Sequence, residues 1–180
     1  MNGTLPATEV PQLETQRLVL REHRLLDFPY LEKIWADPKV VEHITGEPST
    51  SQQSWTRFLT YVGHWPVMGF GIWAVEEKST ASYIGHLGFA NFQRGLEKIG
   101  DKPEAGWVLS SHVHGKGYAT EGMTAALKWA QDGLPSKEIA CIINVGNVAS
   151  IRVAEKCGFK RTGQTEYLST IVNVYEQTLV

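Results

Sequence analysis

The stretch Gly106-Trp107-Val108-Leu109-Ser110-Ser111-His112-Val113-His114-Gly115-Lys116-Gly117-Tyr118-Ala119-Thr120-Glu121 constrains this chain more than any other. An apolar run leads into a glycine loop, and a helix-period segment from Ala119 to Ala130 follows it. A strand, a glycine loop and a helix start leave several main-chain N–H groups without intrahelical partners, aimed at one place. Together with the positive end of the helix dipole they form an anion site. Gly115 and Gly117 permit positive φ and a close approach of phosphate to the backbone, and Lys116 adds a positive charge. The stretch therefore predicts a diphosphate-bearing ligand resting on Gly115 to Thr120. It is not a P-loop, because Tyr118 follows Gly117 where Lys-Ser is required. Nor is it a dinucleotide fingerprint, because Thr120 stands where the third glycine belongs. The plain alternative is a tight turn whose glycines serve geometry alone.

The 180 residues, 42% hydrophobic and 20% charged, predict one globular domain over 1–180, with 1–13 a flexible N-terminal extension. A formal net charge of −2 argues against a nucleic-acid partner held by phosphate neutralisation. Met1 to Pro11 hold no apolar leader segment, and no run of about 18 apolar residues occurs. The expectation is a cytoplasmic protein without a membrane partner. Cys141 and Cys157 sit among apolar neighbours and read as buried reduced thiols.

Along the chain, Arg17 to Glu22 alternates charged and apolar residues like a half-buried strand. Asp27 offers an N-cap, and Leu31, Ile34 and Trp35 form a helical stripe that ends near Asp37-Pro38. Lys39 to Ile44 is a separate short segment. Thr50-x-x-Gln53 has capping-box spacing, with Trp55, Phe58, Leu59 and Val62 as the expected apolar face. Two strands follow, Phe70–Val75 and Tyr83–Phe89, with Gly85 and Gly88 as candidate bulges. A polar loop covers Arg94 to Lys102, and the strand Glu104–Leu109 enters the glycine loop. The helix after it carries Ala119, Met123, Ala126, Leu127 and Ala130 on one face. Ile139 to Ile143 reads as a buried strand and Asn147 to Cys157 as a helix closed by Gly158. Phe159–Gly163 and Thr170–Leu179 are the last strands. The order predicts a mixed α/β fold, one sheet of about seven strands with helices on both faces.

Three separated motifs carry a family resemblance. His112-Val113-His114-Gly115-Lys116-Gly117 resembles the Q/R-x-x-G-x-G/A acetyl-CoA signature of the GNAT-superfamily N-acetyltransferases, with His112 in place of Gln or Arg. Thr15 to Arg21 resembles the T-x-R-L-x-L-R opening of the branch that holds the ribosomal-protein N-terminal-alanine acetyltransferases (RimJ/RimL-like). Asn147 to Phe159 resembles that branch's N-x-x-S-x-x-x-x-x-K-x-G-F.

The resemblance implies a single GNAT-like domain whose mostly antiparallel sheet is splayed between its fourth and fifth strands, where acetyl-CoA enters as co-substrate. Pantetheine amides would pair with the main chain of Trp107, Val108 and Leu109, and the pyrophosphate would rest on Gly115, Lys116, Gly117, Tyr118, Ala119 and Thr120. His112, His114, Asn147 and Ser150 complete the implied cofactor contacts, and no metal is implied. The second partner is an amine acceptor, a protein N-terminus or a small molecule; a homodimer is left open.

Acyl transfer requires an ammonium to lose a proton before nitrogen can attack, and Glu104 is the candidate base. Its alternative is a solvated strand-start carboxylate. An N–H of Val108 or Leu109 is the candidate oxyanion donor. The general-acid tyrosine common in the superfamily is replaced by Ala154, so Ser150 is the candidate hydrogen-bond donor to the leaving thiolate. Capping of the helix is the alternative role for Asn147 and Ser150. His112-x-His114 lacks partner ligands and is a weak metal signal. Glu121 complements the helix dipole, and Tyr167 and Glu166 border the acceptor side or form a surface loop. The substitutions at Ala154 and His112 also admit a non-catalytic acyl-CoA sensor, and a longer acyl donor is a third reading.

Overall fold

The alternating and continuous apolar runs assemble into one eight-stranded sheet in the order β1-β2-β3-β4-β5-β6-β8-β7. This computed structural model describes residues 9–180. The strands are β1 (Leu13–Glu14), β2 (Leu18–Arg21), β3 (Ile72–Glu77), β4 (Ser82–Ala90), β5 (Glu104–Leu109), β6 (Glu138–Asn144), β7 (Lys160–Tyr167) and β8 (Thr170–Thr178). All neighbours run antiparallel except β5 and β6. The helices are α1 (Phe28–Trp35), α2 (Pro38–Val41), α3 (Ser51–Met68), α4 (Tyr118–Gly133) and α5 (Val148–Lys156).

The strand beyond the expected seven is β1, whose Leu13 pairs with Leu20. Residues 1–8 of the expected flexible extension lie outside the described residues. Residues 9–13 are fastened instead: Val10 and Leu13 pack on the core, and the Trp73 indole donates to the Pro11 carbonyl at 2.7 Å.

Each face of the sheet buries its own apolar layer. Leu18, Leu20, Trp73, Val75, Leu87 and Phe89 meet Met123, Ala126, Leu127 and Ala130 of α4. On the opposite face Ile72, Ala74, Tyr83 and Ala90 meet Ile34 and Trp35 of α1 and Phe58 and Tyr61 of α3. The Thr50–Gln53 capping box forms as expected, with both reciprocal bonds made. The stripe behind it does not: Ser54, Phe58, Tyr61 and Trp65 are buried, while Trp55, Leu59 and Val62 are 38%, 50% and 41% exposed. The helix runs on to Met68, and Trp65 donates its indole N–H to the Ile72 carbonyl at 3.2 Å, which turns that stripe inward.

Gly85 marks a bulge. Val75 faces Gly85 but Glu76 faces Tyr83, leaving Ile84 as the extra residue. A Cβ on Gly85 would stand 2.3 Å from the Val108 carbonyl oxygen, so the close approach of β4 to β5 requires glycine there. Gly88 sits in regular register opposite Ile72 and marks no bulge.

Beyond one bridge, Glu104 with Ala140, the parallel strands β5 and β6 part. β6 is paired along its whole length with β8, so nothing draws its far end back to β5. The predicted splay is therefore built by pairing preferences on either side of it.

Candidate active site

Strand parity decides which backbone groups face the gap. Ser110 donates its N–H to the Ile84 carbonyl at 2.8 Å, and β5 is in register with β4 along its length. Alternation in an antiparallel ladder then directs the main-chain groups of Glu104, Gly106 and Val108 at β4. Those of Trp107 and Leu109 point the other way, into the splay. Of the three residues expected to pair with pantetheine, Val108 is excluded: its main chain is spent on His86. The same parity leaves the Leu109 N–H, not that of Val108, free to face the gap, and so as the remaining candidate oxyanion donor. The Leu109 carbonyl already accepts from His114 Nε2 at 2.9 Å, which places the proton of that imidazole on Nε2.

At the mouth of the gap the chain makes a short 3-10 turn, Ser111–Val113, and enters the glycine loop. Gly117 adopts φ +81° at the N-cap of α4, a backbone region costly for residues with a Cβ. No side chain caps the helix, and the first intrahelical bond is Glu121 N–H to the Gly117 carbonyl at 3.0 Å. The N–H groups of Tyr118, Ala119 and Thr120 are thus first-turn donors without intrahelical partners. Lys116 is exposed beside them.

Other loop side chains are occupied elsewhere. The Tyr118 hydroxyl donates to Glu77 at 2.6 Å, and that bond raises the phenol above its ordinary pKa. His112 lies at the exposed rim, its Nδ1 2.6 Å from Ser110 Oγ. Glu121 does more than complement the dipole. It accepts from Thr15 Oγ1 at 2.6 Å, Arg17 N–H at 2.8 Å and Arg17 Nε at 2.6 Å, while Arg17 also donates to the Lys116 carbonyl at 3.0 Å. The T-x-R-L segment therefore braces the glycine loop from behind, a role its sequence pattern did not disclose.

Across the gap, Asn147 caps α5 by accepting from the Ser150 N–H at 3.1 Å. Ser150 stands half-buried in the first turn, immediately after β6. Ala154 is fully buried, so no side chain there reaches the gap.

Glu104 is neither solvated nor alone. Its carboxylate is buried and held by Arg94 through two bonds, Nε to Oε2 at 2.7 Å and the second guanidinium nitrogen to Oε1 at 3.0 Å. The third Arg94 nitrogen donates to the Tyr167 hydroxyl at 2.5 Å. Burial works against the Arg94 charge, but the Glu104 carboxylate more than offsets it and the guanidinium pKa is raised. Arg94 had no signal in the sequence, lying in a polar loop with no motif. Tyr167 is brought to this ion pair, whereas Glu166 beside it is not a member. Glu104, Gly106 and Val108 share the face turned toward α1 and α3, and a Cβ on Gly106 would meet no atom within 4 Å. Open space therefore lies between Glu104 and Val108.

Among the described residues, no group of three or more His, Cys, Asp or Glu is placed to hold a metal ion, and no helix is long and apolar enough to cross a membrane. Cys141 and Cys157 are buried free thiols.

The family pattern described as "Acetyltransferase (GNAT) domain" matches residues 17–160. The chain is 24% identical over 152 residues to the uncharacterized N-acetyltransferase p20 of Bacillus licheniformis, covering 84% of this chain and 83% of the relative. It superposes on a putative GnaT-family acetyltransferase from Bordetella pertussis with a TM-score of 0.82 at 24% identity, over 94% of this chain and 100% of that one. The structure of RimL, a ribosomal L7/L12 alpha-N-protein acetyltransferase in complex with coenzyme A, gives a TM-score of 0.73 at 14% identity over 94% and 98% of the two chains. With the splayed sheet, the glycine loop and a domain pattern spanning most of its length, the chain belongs to the GNAT acetyltransferase family, and it is an enzyme of the N-acetyltransferase type.

Proposed function

We propose that the protein moves the acetyl group of acetyl-CoA to a primary amine by direct transfer in a ternary complex. One juxtaposition carries the reading: the outward main-chain edge of Trp107 and Leu109 opens onto the same mouth as the first-turn amides of α4. An extended chain of amides ending in a diphosphate fits that pair of surfaces, the amides adding to β5 like a strand and the anion meeting unpaired N–H groups. Lys116 contributes charge at the rim.

The amine approaches from the α1/α3 face over Gly106, where Glu104 takes its proton. The freed nitrogen lone pair attacks the thioester carbon, a C–N bond forms, the C–S bond breaks, and the second proton of the former ammonium passes to the departing sulfur. The Leu109 N–H stabilises the charge that builds on the carbonyl oxygen. Ser150 donates a hydrogen bond to the departing sulfur, a role within reach of a hydroxyl that is too weak an acid to surrender its proton outright. His112 and His114 shape the loop rather than take part in the transfer. The acceptor is a protein N-terminus or a small amine.

The test is thiol release from acetyl-CoA in the presence of spermidine, free amino acids and short peptides beginning with alanine or serine. Acceptor-dependent release is expected, reduced by Glu104→Gln and by Ser150→Ala. Release that both substitutions leave unchanged rejects these roles, and absence of CoA binding in calorimetry rejects the reading as a whole.

A further inference from the structure

We propose that Arg94 is a resident cation occupying the place on Glu104 that the acceptor's ammonium must take, so that amine binding proceeds by displacing a guanidinium. The inference rests on the acetyl-transfer reading above. Both oxygens of Glu104 are engaged by Arg94, at 2.7 and 3.0 Å, and the carboxylate lies beside the open space over Gly106. An incoming ammonium and the guanidinium are both cations with N–H donors, and they compete for the same two oxygens.

Arg94 is also equipped to let go. Its remaining nitrogen is bonded to the Tyr167 hydroxyl, and its guanidinium carbon lies 4.6 Å from the Phe92 ring centroid and 4.7 Å from that of Tyr167. Two aromatic faces and one hydroxyl can retain the planar cation after Glu104 has turned to another partner. The pair is not sealed off: the Arg94 side chain is 21% exposed, against 8% for Glu104. The other ionisable neighbours offer no substitute cation at the carboxylate. Cys141 on β6 is a buried thiol pushed up in pKa by burial and by the nearby Glu104 charge, and Tyr167 is a phenol. Lys102 lines a small cavity together with Arg94 and Glu104, but its ammonium is directed to Glu176 at 3.1 Å. Arg94 is thus a positioning residue: it decides when Glu104 is free, and it selects acceptors that arrive as cations.

The experiment uses the whole chain saturated with CoA and labelled with [δ-13C]glutamate, the Glu104 carboxyl resonance being assigned by its loss in Glu104→Gln. Methylammonium chloride is titrated in, with tetramethylammonium chloride at equal ionic strength as the control lacking N–H donors. The wild-type resonance is expected to respond to methylammonium alone, and in Arg94→Gln the midpoint is expected at a concentration lower by about fivefold, as befits a partly exposed ion pair. Arg94→Lys keeps the charge but cannot bridge both oxygens, and serves if the glutamine variant fails to fold; its midpoint is expected to fall as well. Equal midpoints in wild type and variant overturn the proposal, as does a carboxyl that ignores methylammonium in all forms. Because the signal needs no turnover, failure here is distinct from failure of the acetyl-transfer reading, which thiol release tests.

Discussion

Arg17, in the bend that leads into β2, and Glu121 in the first turn of α4 meet at 2.6 Å across a sequence separation of 104, and the same guanidinium holds the Lys116 carbonyl of the glycine loop. One carboxylate thereby ties the edge of the sheet to the loop that receives the diphosphate. Burial alone would raise the Glu121 pKa, but hydrogen bonds from Thr15 and Arg17 reverse the sign and the folded pKa is lowered. A lowered carboxylate pKa contributes stability that is present above the unfolded value of about 4.5 and is lost as pH falls through the folded one. Glu121→Gln is therefore expected to cost about 1–2 kcal/mol in urea unfolding at pH 7, a figure reduced because the Arg17 side chain is 41% exposed. The deficit should shrink below pH 4, and calorimetry should show weaker CoA binding at pH 7. Unaltered affinity would mean the brace has no bearing on the loop.

Neighbouring amides on β5 should behave oppositely in hydrogen exchange. Val108 donates to β4, whereas Trp107 and Leu109 face the gap. In the free protein the amides of Trp107 and Leu109 are expected to exchange faster than that of Val108, and added CoA should slow them by about tenfold or more. Protection that appears at Val108 instead would place the ligand on the wrong edge.

How much of this was legible beforehand follows from the range of the interactions involved. The strand, glycine loop and helix from Glu104 to Gly133 could be read because their signals are local: glycines, apolar runs and a helical period within a few residues. The Asn147 cap and the Thr50–Gln53 box are local for the same reason. The buried face of α3 was misread because two overlapping stripes compete, and the choice rests on Trp65 finding the Ile72 carbonyl. The exclusion of Val108 depends on register with β4, which no spacing within β5 encodes. Arg94 was invisible because its partners are set by how a loop folds back, joining Glu104 to Tyr167 across 62 intervening positions.

Asn147 and Ser150 separate capping from chemistry. The Asn147 side chain accepts the Ser150 main-chain N–H, a bond that leaves the Ser150 hydroxyl out of account. Asn147→Ala is expected to cost about 1 kcal/mol of stability, the usual worth of an N-cap. Ser150→Ala keeps that backbone bond and should unfold as wild type does, yet lower kcat by about tenfold with little change in KM, since it removes a contact that strengthens as the thiolate forms. A serine variant that loses stability without losing kcat would return Ser150 to a structural role.

Asp27 provides the sharpest stability test, because it holds a buried cation next to the helices that flank the acceptor side. Its carboxylate meets Arg21 at 2.8 and 2.9 Å, with Arg21 7% and Asp27 4% exposed, and Glu76 adds a third contact at 2.9 Å. Burial opposes the Asp27 charge, but Arg21 and the Arg24 N–H outweigh it and the pKa falls below 3.8. Asp27→Asn leaves the Arg21 guanidinium buried with only Glu76 to balance it, which is expected to cost about 3–5 kcal/mol. By the same linkage, the wild-type contribution persists above pH 3.8 and disappears as pH drops through the lower folded value, so the two proteins should converge in acid. The pair is read by denaturant unfolding from pH 7 to pH 3. A constant difference across that range would show that packing at residue 27, not its charge, holds β2 to the start of α1.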